Sequence, residues 1–275
     1  MPETLAATVK LNDGHEFPAV GLGVYQAKGK ELVTAIQRAV ESGYRHIDCA
    51  ALYGNEREVA AILRDMGDSW TEKVTVTTKV WNDKIRAGKT REAVEHSLRI
   101  MRRDRLDVVL VHWPAEGYRQ SWEDLQSARQ DGVIRSIGVS NFMPQHLNTI
   151  LAENGTVPCI NQIEHHPYLP QRDARDLSQA HGILPVAHTP LMQGEFLRES
   201  AFQAIAEEVQ RTPAQVLLRW NLQRGVAVIP KSVTPSRITE NIGLFDFTLS
   251  TQQMTILDHL KRNRRFSGDP ENVSF

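Results

Sequence analysis

The stretch RHIDCAALYGNE, residues 45–56, reads as a short buried strand that stops abruptly and turns toward a helix. Ile47 lies between polar neighbours, Asp48 stands where the strand should end, and Tyr53 follows five residues later. A carboxylate and a phenol at the mouth of a strand raise two questions: what fold repeats this unit, and what chemistry the pair serves.

The same unit recurs along the chain. Apolar runs of strand type occur at VGLGV (20–24), RHIDC (45–49), VTVTTKV (74–80), DVVLVHW (107–113), IRSIGVSN (134–141), PCINQIEHH (158–166), ILPVAH (183–188) and VAVIP (226–230). Stretches with helical spacing fall between them: 31–43, 57–67, 91–101, 121–132 and 212–225. Gly43 suits the end of the first, while Thr212 and Pro213 suit an N-cap and first helical position. Eight strand-type runs alternating with helices predict a (β/α)8 barrel, the TIM barrel, in a single domain spanning 1–275. A doubly wound parallel sheet is the competing reading. Asp13-Gly14, inside the alternating TVKLNDGHEF, predicts an N-terminal β-hairpin. No linker or low-complexity tract interrupts the pattern.

Composition narrows the function. The chain has 275 residues, 41% hydrophobic and 24% charged, with a formal net charge of −1. That balance gives no electrostatic reason to expect nucleic acid or an anionic membrane as a partner. No apolar run approaches the roughly 20 residues a bilayer-spanning helix needs. The N-terminus has no signal-like apolar segment and carries Glu3 early, so a cytoplasmic protein is expected. Cys49 and Cys159 lie far apart, outside any CxxC motif, and read as reduced buried thiols. Asn154-Gly155-Thr156 is a formal glycosylation sequon without a secretion context.

In a (β/α)8 barrel, chemistry belongs at the C-terminal ends of the strands. Polar residues at those ends are Asp48, Lys79, His112, Ser140, Asn141, Asn161 and Gln162. Each alone has a structural explanation: a cap, a lysine whose head reaches solvent, a hydrogen-bonded core histidine. Their concentration on neighbouring strands is the signal. VGLGV lacks the third glycine of a dinucleotide fingerprint and leads into a loop. His165 and His166 alternate across a strand, which makes them a poor chelating pair, so a metal-dependent hydrolase is disfavoured and no metal is expected.

The motifs HIDCAALYGNE, TTKVW, VHWP, GVSNF (138–142), NQIEHHPYLPQ (161–171) and IPKSVTPSRITEN (229–241) resemble those of the aldo-keto reductase superfamily, in its order and over nearly the whole chain. In overall length, the short segment after strand seven and the short tail, the chain resembles the bacterial diketogluconate-reductase-like members. The resemblance implies a catalytic tetrad of Asp48, Tyr53, Lys79 and His112, and NADPH/NADP+ extended across the barrel mouth. Tyr53 would be the proton donor to a carbonyl oxygen. Lys79 would lower the phenol's pKa from about 10, Asp48 would orient Lys79, and neutral His112 would hold the substrate oxygen. Ser140, Asn141 and Gln162 match positions that bind the nicotinamide carboxamide. Lys231, Ser232 and Arg237 match those around the adenosine 2′-phosphate, where a helix beginning at Pro235-Ser236 would add backbone N–H donors. Glu240 and Asn241 would meet adenine.

His188 departs from the family's pattern, standing where an aromatic ring usually stacks on the nicotinamide. Free imidazole titrates near pH 6.5. Tyr25, Trp81 and Trp113 would line a pocket for a small-molecule carbonyl substrate. The basic tail KRNRRFSGDPENVSF (261–275) reads either as a cover that favours a carboxylate or polyol substrate or as a solvated run. The expected protein is a monomeric carbonyl reductase. The alternative is a non-catalytic NADPH-binding sensor or structural member of the same fold, which a turnover assay separates from the enzyme.

Overall fold

The structure, a computed structural model, describes residues 5, 7–153 and 155–275, so Glu3 and the sequon's Asn154 lie outside the described residues. Strands β1 (Thr8–Lys10) and β2 (Glu16–Pro18) form the expected antiparallel hairpin. The repeating units follow: β3 (Leu22–Gly23) with α1 (Gly29–Glu41), then β4 (His46–Asp48) with α2 (Glu56–Asp65) and α3 (Asp68–Lys73). Next come β5 (Thr75–Val80) with α4 (Asn82–Arg86) and α5 (Thr90–Met101), β6 (Leu106–Val111) with α6 (Tyr118–Gln130), and β7 (Ile134–Ser140) with α7 (Pro144–Leu151). The rest are β8 (Ile160–Glu164) with α8 (Arg172–Ala180), β9 (Leu184–His188) with α9 (Ser200–Val209) and α10 (Pro213–Gln223), and β10 (Ala227–Val228) with α11 (Pro235–Ile242) and α12 (Thr251–Asp258).

Strands β3 to β10 pair in sequence order, all parallel. The first and last segments then meet. Gly21 N–H donates to Val228 O (2.8 Å), Val228 N–H to Ala19 O (2.9 Å) and Gly23 N–H to Pro230 O (3.1 Å), which closes the barrel. The VGLGV glycines belong to this seam: a Cβ on Gly23 would stand 2.9 Å from Ile229 O, and one on Gly21 would stand 2.2 Å from His46 Nδ1. They permit close backbone approach rather than cradling a phosphate.

Leu110, Ile160, Leu184, Val186, Ala227 and Ile229 fill the barrel, and Leu11 and Phe17 of the hairpin plug its lower end. The helices pack their apolar stripes against the outside of the sheet. The expected caps are present. Thr212 Oγ1 accepts from Gln215 N–H while the Gln215 side chain returns to Thr212 N–H, a reciprocal capping box. After α1, Tyr44 N–H reaches Ala39 O and Gly43, at φ +102°, reaches Val40 O. Several helices, among them α8, are not marked by apolar periodicity. The α8 sequence RDARDLSQA offers few apolar side chains, so packing rather than pattern decides it. Among the described residues no helix is long and apolar enough to cross a membrane.

Candidate active site

The C-terminal ends of the strands surround a cleft of about 790 Å³. Asp48 ends β4, Lys79 lies one residue before the end of β5, and His112 immediately follows β6. Ser140 ends β7, Asn141 follows it, Gln162 sits within β8 and His188 ends β9. All of these except Lys79, which is fully buried beneath, line the cleft with Tyr53, Tyr25, Trp81, Trp113 and Lys231. The structure thus brings the four tetrad candidates together.

Lys79 Nζ donates to Asp48 Oδ1 (2.6 Å) and Cys49 O (2.9 Å), and makes a longer contact with Tyr53 Oη (3.4 Å). Those three partners use all three ammonium hydrogens. Asp48 Oδ2 accepts from Gln162 Nε2 at 2.6 Å, so both carboxylate oxygens are engaged. A buried ion pair is tolerated when its remaining bonds are satisfied in this way. Burial alone would pull the Lys79 ammonium down, but the Asp48 carboxylate and the neighbouring Tyr53 outweigh it, and Lys79 stays charged above its usual range.

Tyr53 departs from expectation. Burial pushes its phenol above the usual 10, and the opposing pull of Lys79 does not cancel that rise. The Lys79 contact is long and already shared with Asp48, which limits its leverage. His112 is held well below 6.5 by burial and by Lys79, so the ring is neutral as expected. It lies edge-on to Trp81, with centroids 5.0 Å apart.

His188 also departs. Its Nε2 lies 2.8 Å from Asn141 Oδ1 and its Nδ1 3.1 Å from Thr189 Oγ1. Burial lowers its pKa to about 4 against the opposing carboxylate of Glu164, so titration near 6.5 does not apply. Ser140 Oγ donates to Gln162 O, and Asn141 Nδ2 donates to His112 O and Ser140 Oγ.

The second group of candidates stands apart from the cleft. Ser232, Arg237, Glu240 and Asn241 lie on or before α11, packed beside α1, and only Lys231 of this set reaches the cleft. Among the described residues Lys231 and Arg237 form no ion pair, and Arg237 is exposed. Asn241 is buried with Oδ1 unpartnered, while one Glu240 oxygen already accepts from Thr212 Oγ1 (2.7 Å). Two free cations beside a helix start, with an orphaned amide oxygen nearby, fit the phosphate and base of an adenine nucleotide.

Some lining residues carry no signal in the sequence. Leu52, Gln26 and Gln193 are such residues, whereas Phe266, Ser267, Gly268 and Phe275, which also line the cleft, belong to the tail read above as a cover. Glu164 at the end of β8 latches that tail, accepting from Phe266 N–H (2.6 Å), Ser267 N–H (3.2 Å) and Ser267 Oγ (2.6 Å). Burial would raise the Glu164 pKa, but these bonds and that from His166 hold it at about 2. The tail therefore covers the pocket, while two of its cations are engaged by carboxylates outside the cleft lining. Arg262 pairs with Glu199 and Arg264 with Glu195, and Arg265 lies near Asp269. His165 and His166 serve opposite partners, Asn221 and Glu164.

Comparison with known proteins agrees with this geometry. The profile of the Aldo/keto reductase family matches residues 19–262. Glyoxal reductase of Bacillus subtilis is 41% identical over 277 residues, covering 100% of both chains. Methylglyoxal reductase DkgA of Escherichia coli is 40% identical over 268 residues, 96% of each. Among solved structures, an aldo-keto reductase from a Medee basin deep-sea metagenome superposes with a TM-score of 0.93 at 34% identity, over 97% of this chain and 100% of that one. The chain belongs to the aldo/keto reductase family.

Proposed function

We propose that this oxidoreductase uses NADPH to reduce the carbonyl of an uncharged aldehyde or ketone to an alcohol. The observation that carries the reading is the Asp48–Lys79–Tyr53 chain, with neutral His112 facing the same cleft. The two reductases of glyoxal and methylglyoxal among its relatives support the reaction class. When bound, NADPH supplies the hydride.

The chain's own residues supply the rest. Charge gathers on the substrate oxygen during reduction, and a forming alkoxide is a stronger base than a phenolate. Tyr53 can therefore surrender its proton even with its pKa raised. Lys79 stabilises the phenolate left behind, and Asp48 keeps Lys79 in place. His112 offers an N–H to the substrate oxygen and fixes its direction. Ser140, Asn141 and Gln162 hold the nicotinamide carboxamide. Lys231, Ser232 and Arg237 hold the 2′-phosphate, with Asn241 at the base and Glu240 beside it.

On the substrate side Tyr25, Leu52, Trp81, Trp113 and Phe275 are aromatic or apolar, and the one cation beneath, Lys79, is already paired. A carboxylate entering among these side chains would lose its water without gaining a cation of its own. That disfavours the acidic substrate suggested by the basic tail. The buried free thiols Cys49 and Cys159 accord with a cytoplasmic setting, and the reading is of a one-domain monomer.

The test follows NADPH oxidation with benzaldehyde, 4-carboxybenzaldehyde and methylglyoxal. The reading expects turnover of the uncharged aldehydes, with kcat/KM at least about tenfold lower for the carboxylate. Absence of NADPH oxidation with every aldehyde would refute it. In the same assay Arg237→Ala should weaken NADPH binding about tenfold and leave NADH unaffected, because the lost contact is charge-assisted and specific to the phosphate.

A further inference from the structure

Asn141 has little freedom. It follows β7 in a left-handed backbone conformation, φ 63°, and its N–H donates to Gln162 O at 2.8 Å. The side-chain Nδ2 donates to His112 O at 3.0 Å and to Ser140 Oγ at 3.1 Å, which uses both amide hydrogens. A peptide carbonyl only accepts, so the group facing His112 O must be the nitrogen. The amide orientation is thereby determined, and Oδ1 faces His188.

The tautomer of His188 follows. Asn141 Oδ1 carries no hydrogen, so His188 Nε2, 2.8 Å away, must donate. Nδ1 is then the acceptor for the Thr189 hydroxyl at 3.1 Å. Both ring nitrogens are committed in the ring plane, and the imidazole presents an edge to Asn141. A phenyl or phenol ring at this position has no N–H at that place to offer.

The unused hydrogen-bonding capacity around this corner has a definite character. Asn141 Oδ1 retains one lone pair. Ser140 Oγ has given its hydrogen to Gln162 O and retains one lone pair after accepting from Asn141. Gln162 has given one N–H to Asp48 and keeps the other, together with its Oε1. The remaining set is three acceptors and one donor. A primary carboxamide carries two N–H donors and one carbonyl oxygen, all of which these groups can satisfy with one acceptor to spare.

We propose that His188 is a positioning residue for the nicotinamide carboxamide, acting through Asn141: its Nε2–H pins the Asn141 amide with Oδ1 presented to the cleft as an acceptor. This inference rests on the NADPH reading above. It departs from the role of a stacking ring, in which area and an uncharged face carry the contribution. The two roles make opposite forecasts for a larger aromatic ring. A stacking position gains from Phe, whereas a positioning residue loses its donor, and Asn141 Oδ1 loses the bond that aims it while the two N–H bonds of the amide remain.

The test measures NADPH dissociation constants by cofactor fluorescence for wild type, His188→Phe, His188→Gln, Asn141→Ala and the His188→Phe/Asn141→Ala double variant. The stereochemistry of hydride delivery is read in parallel with deuterated cofactor. His188→Phe should weaken binding about tenfold, near the upper value for one neutral hydrogen bond. His188→Gln retains an N–H donor and should stay within about threefold of wild type. The double variant should bind no more weakly than Asn141→Ala alone, because both changes remove one interaction. His188→Phe should also blur the facial selectivity of transfer. Binding by His188→Phe equal to or tighter than wild type overturns the proposal, as do additive losses in the double variant. A wild type that binds no NADPH overturns the functional reading itself, an outcome distinct from the others.

Discussion

The two ends of the barrel use similar residues for opposite purposes. His46 and Asp48 lie two residues apart on β4 and so share its face, one toward the bottom and one at the top. At the bottom His46 Nε2 meets Thr77 Oγ1 at 2.9 Å, and the ring packs against Phe17 with centroids 4.6 Å apart. Burial drives its pKa to about 3, and the hairpin closes over it. Nearby, Asp13 accepts from Ser136 Oγ at 2.7 Å and ties the hairpin loop to the barrel. At the top Asp48 and His112 are just as thoroughly bonded or desolvated, yet they border a cleft of about 790 Å³. A buried aspartate or neutral histidine is therefore not functional by its chemistry alone. Access at the C-terminal end of the strands separates a site from a plug.

Lys79→Met should break that comparison most severely, since it touches both stability and chemistry. It strands Asp48 as a buried carboxylate, with Gln162 as its remaining side-chain donor, and should cost about 3–5 kcal/mol in chemical denaturation. Carbonyl reduction by the folded fraction should fall as far as it does when the acid itself is lost. Full stability would show that the pair is not enclosed as described.

Phe17→Ala is the matching change at the bottom. It removes a fully buried ring and should also cost about 3–5 kcal/mol. Here kcat/KM of the folded protein should stay unchanged within about twofold, because no group at the cleft moves. A large kinetic loss without a stability loss would mean that the plug communicates with the chemistry.

A smaller effect concerns acid. His46 and His165 have folded pKa values near 3 and His188 near 4, against 6.5 when free. Because the folded values are depressed, the unfolded chain binds more protons below pH 6.5, and stability falls as pH falls through that window toward 4. Each histidine contributes a slope of about 1.4 kcal/mol per pH unit once its unfolded form is protonated. Denaturation midpoints measured from pH 7 to 4.5 should drop accordingly. A flat profile would place these rings in contact with solvent.

The barrel was legible from local pattern, and the four tetrad candidates that it gathers around one cleft were legible from polar strand ends together with the family resemblance. Strand-type runs announce themselves, and polar residues at their C-terminal ends are few enough to single out Asp48, Lys79 and His112. The eight runs all became strands, although VAVIP yields only Ala227–Val228 before Pro230, which has no N–H to give. What depended on depth or on distant chain was hidden. The proximity of Lys79 to Tyr53 could be read from motifs, but the burial that outweighs it could not, so the direction of the phenol's shift came out reversed. His188 was placed correctly at the cleft, yet its edge-on bond to Asn141 joins residues 47 apart in sequence, which only the folded chain brings together. Glu164 carried no mark of its role because its partners, Phe266 and Ser267, lie more than 100 residues away. The arginines of the tail suggested an acidic ligand, and the structure gives Arg262 to Glu199 and Arg264 to Glu195 instead, with Arg265 near Asp269.

In the proposed reaction Tyr53, at the open end of the barrel, delivers the proton during carbonyl reduction. Tyr53→Phe tests it with almost no change in ring volume. The measurement is kcat/KM for benzaldehyde with NADPH, paired with the NADPH dissociation constant of the same preparation. The account predicts a fall in kcat/KM of roughly 10²–10⁴-fold, the range for loss of a general acid, with NADPH binding preserved. Turnover within a few-fold of wild type, with cofactor still bound, would contradict it.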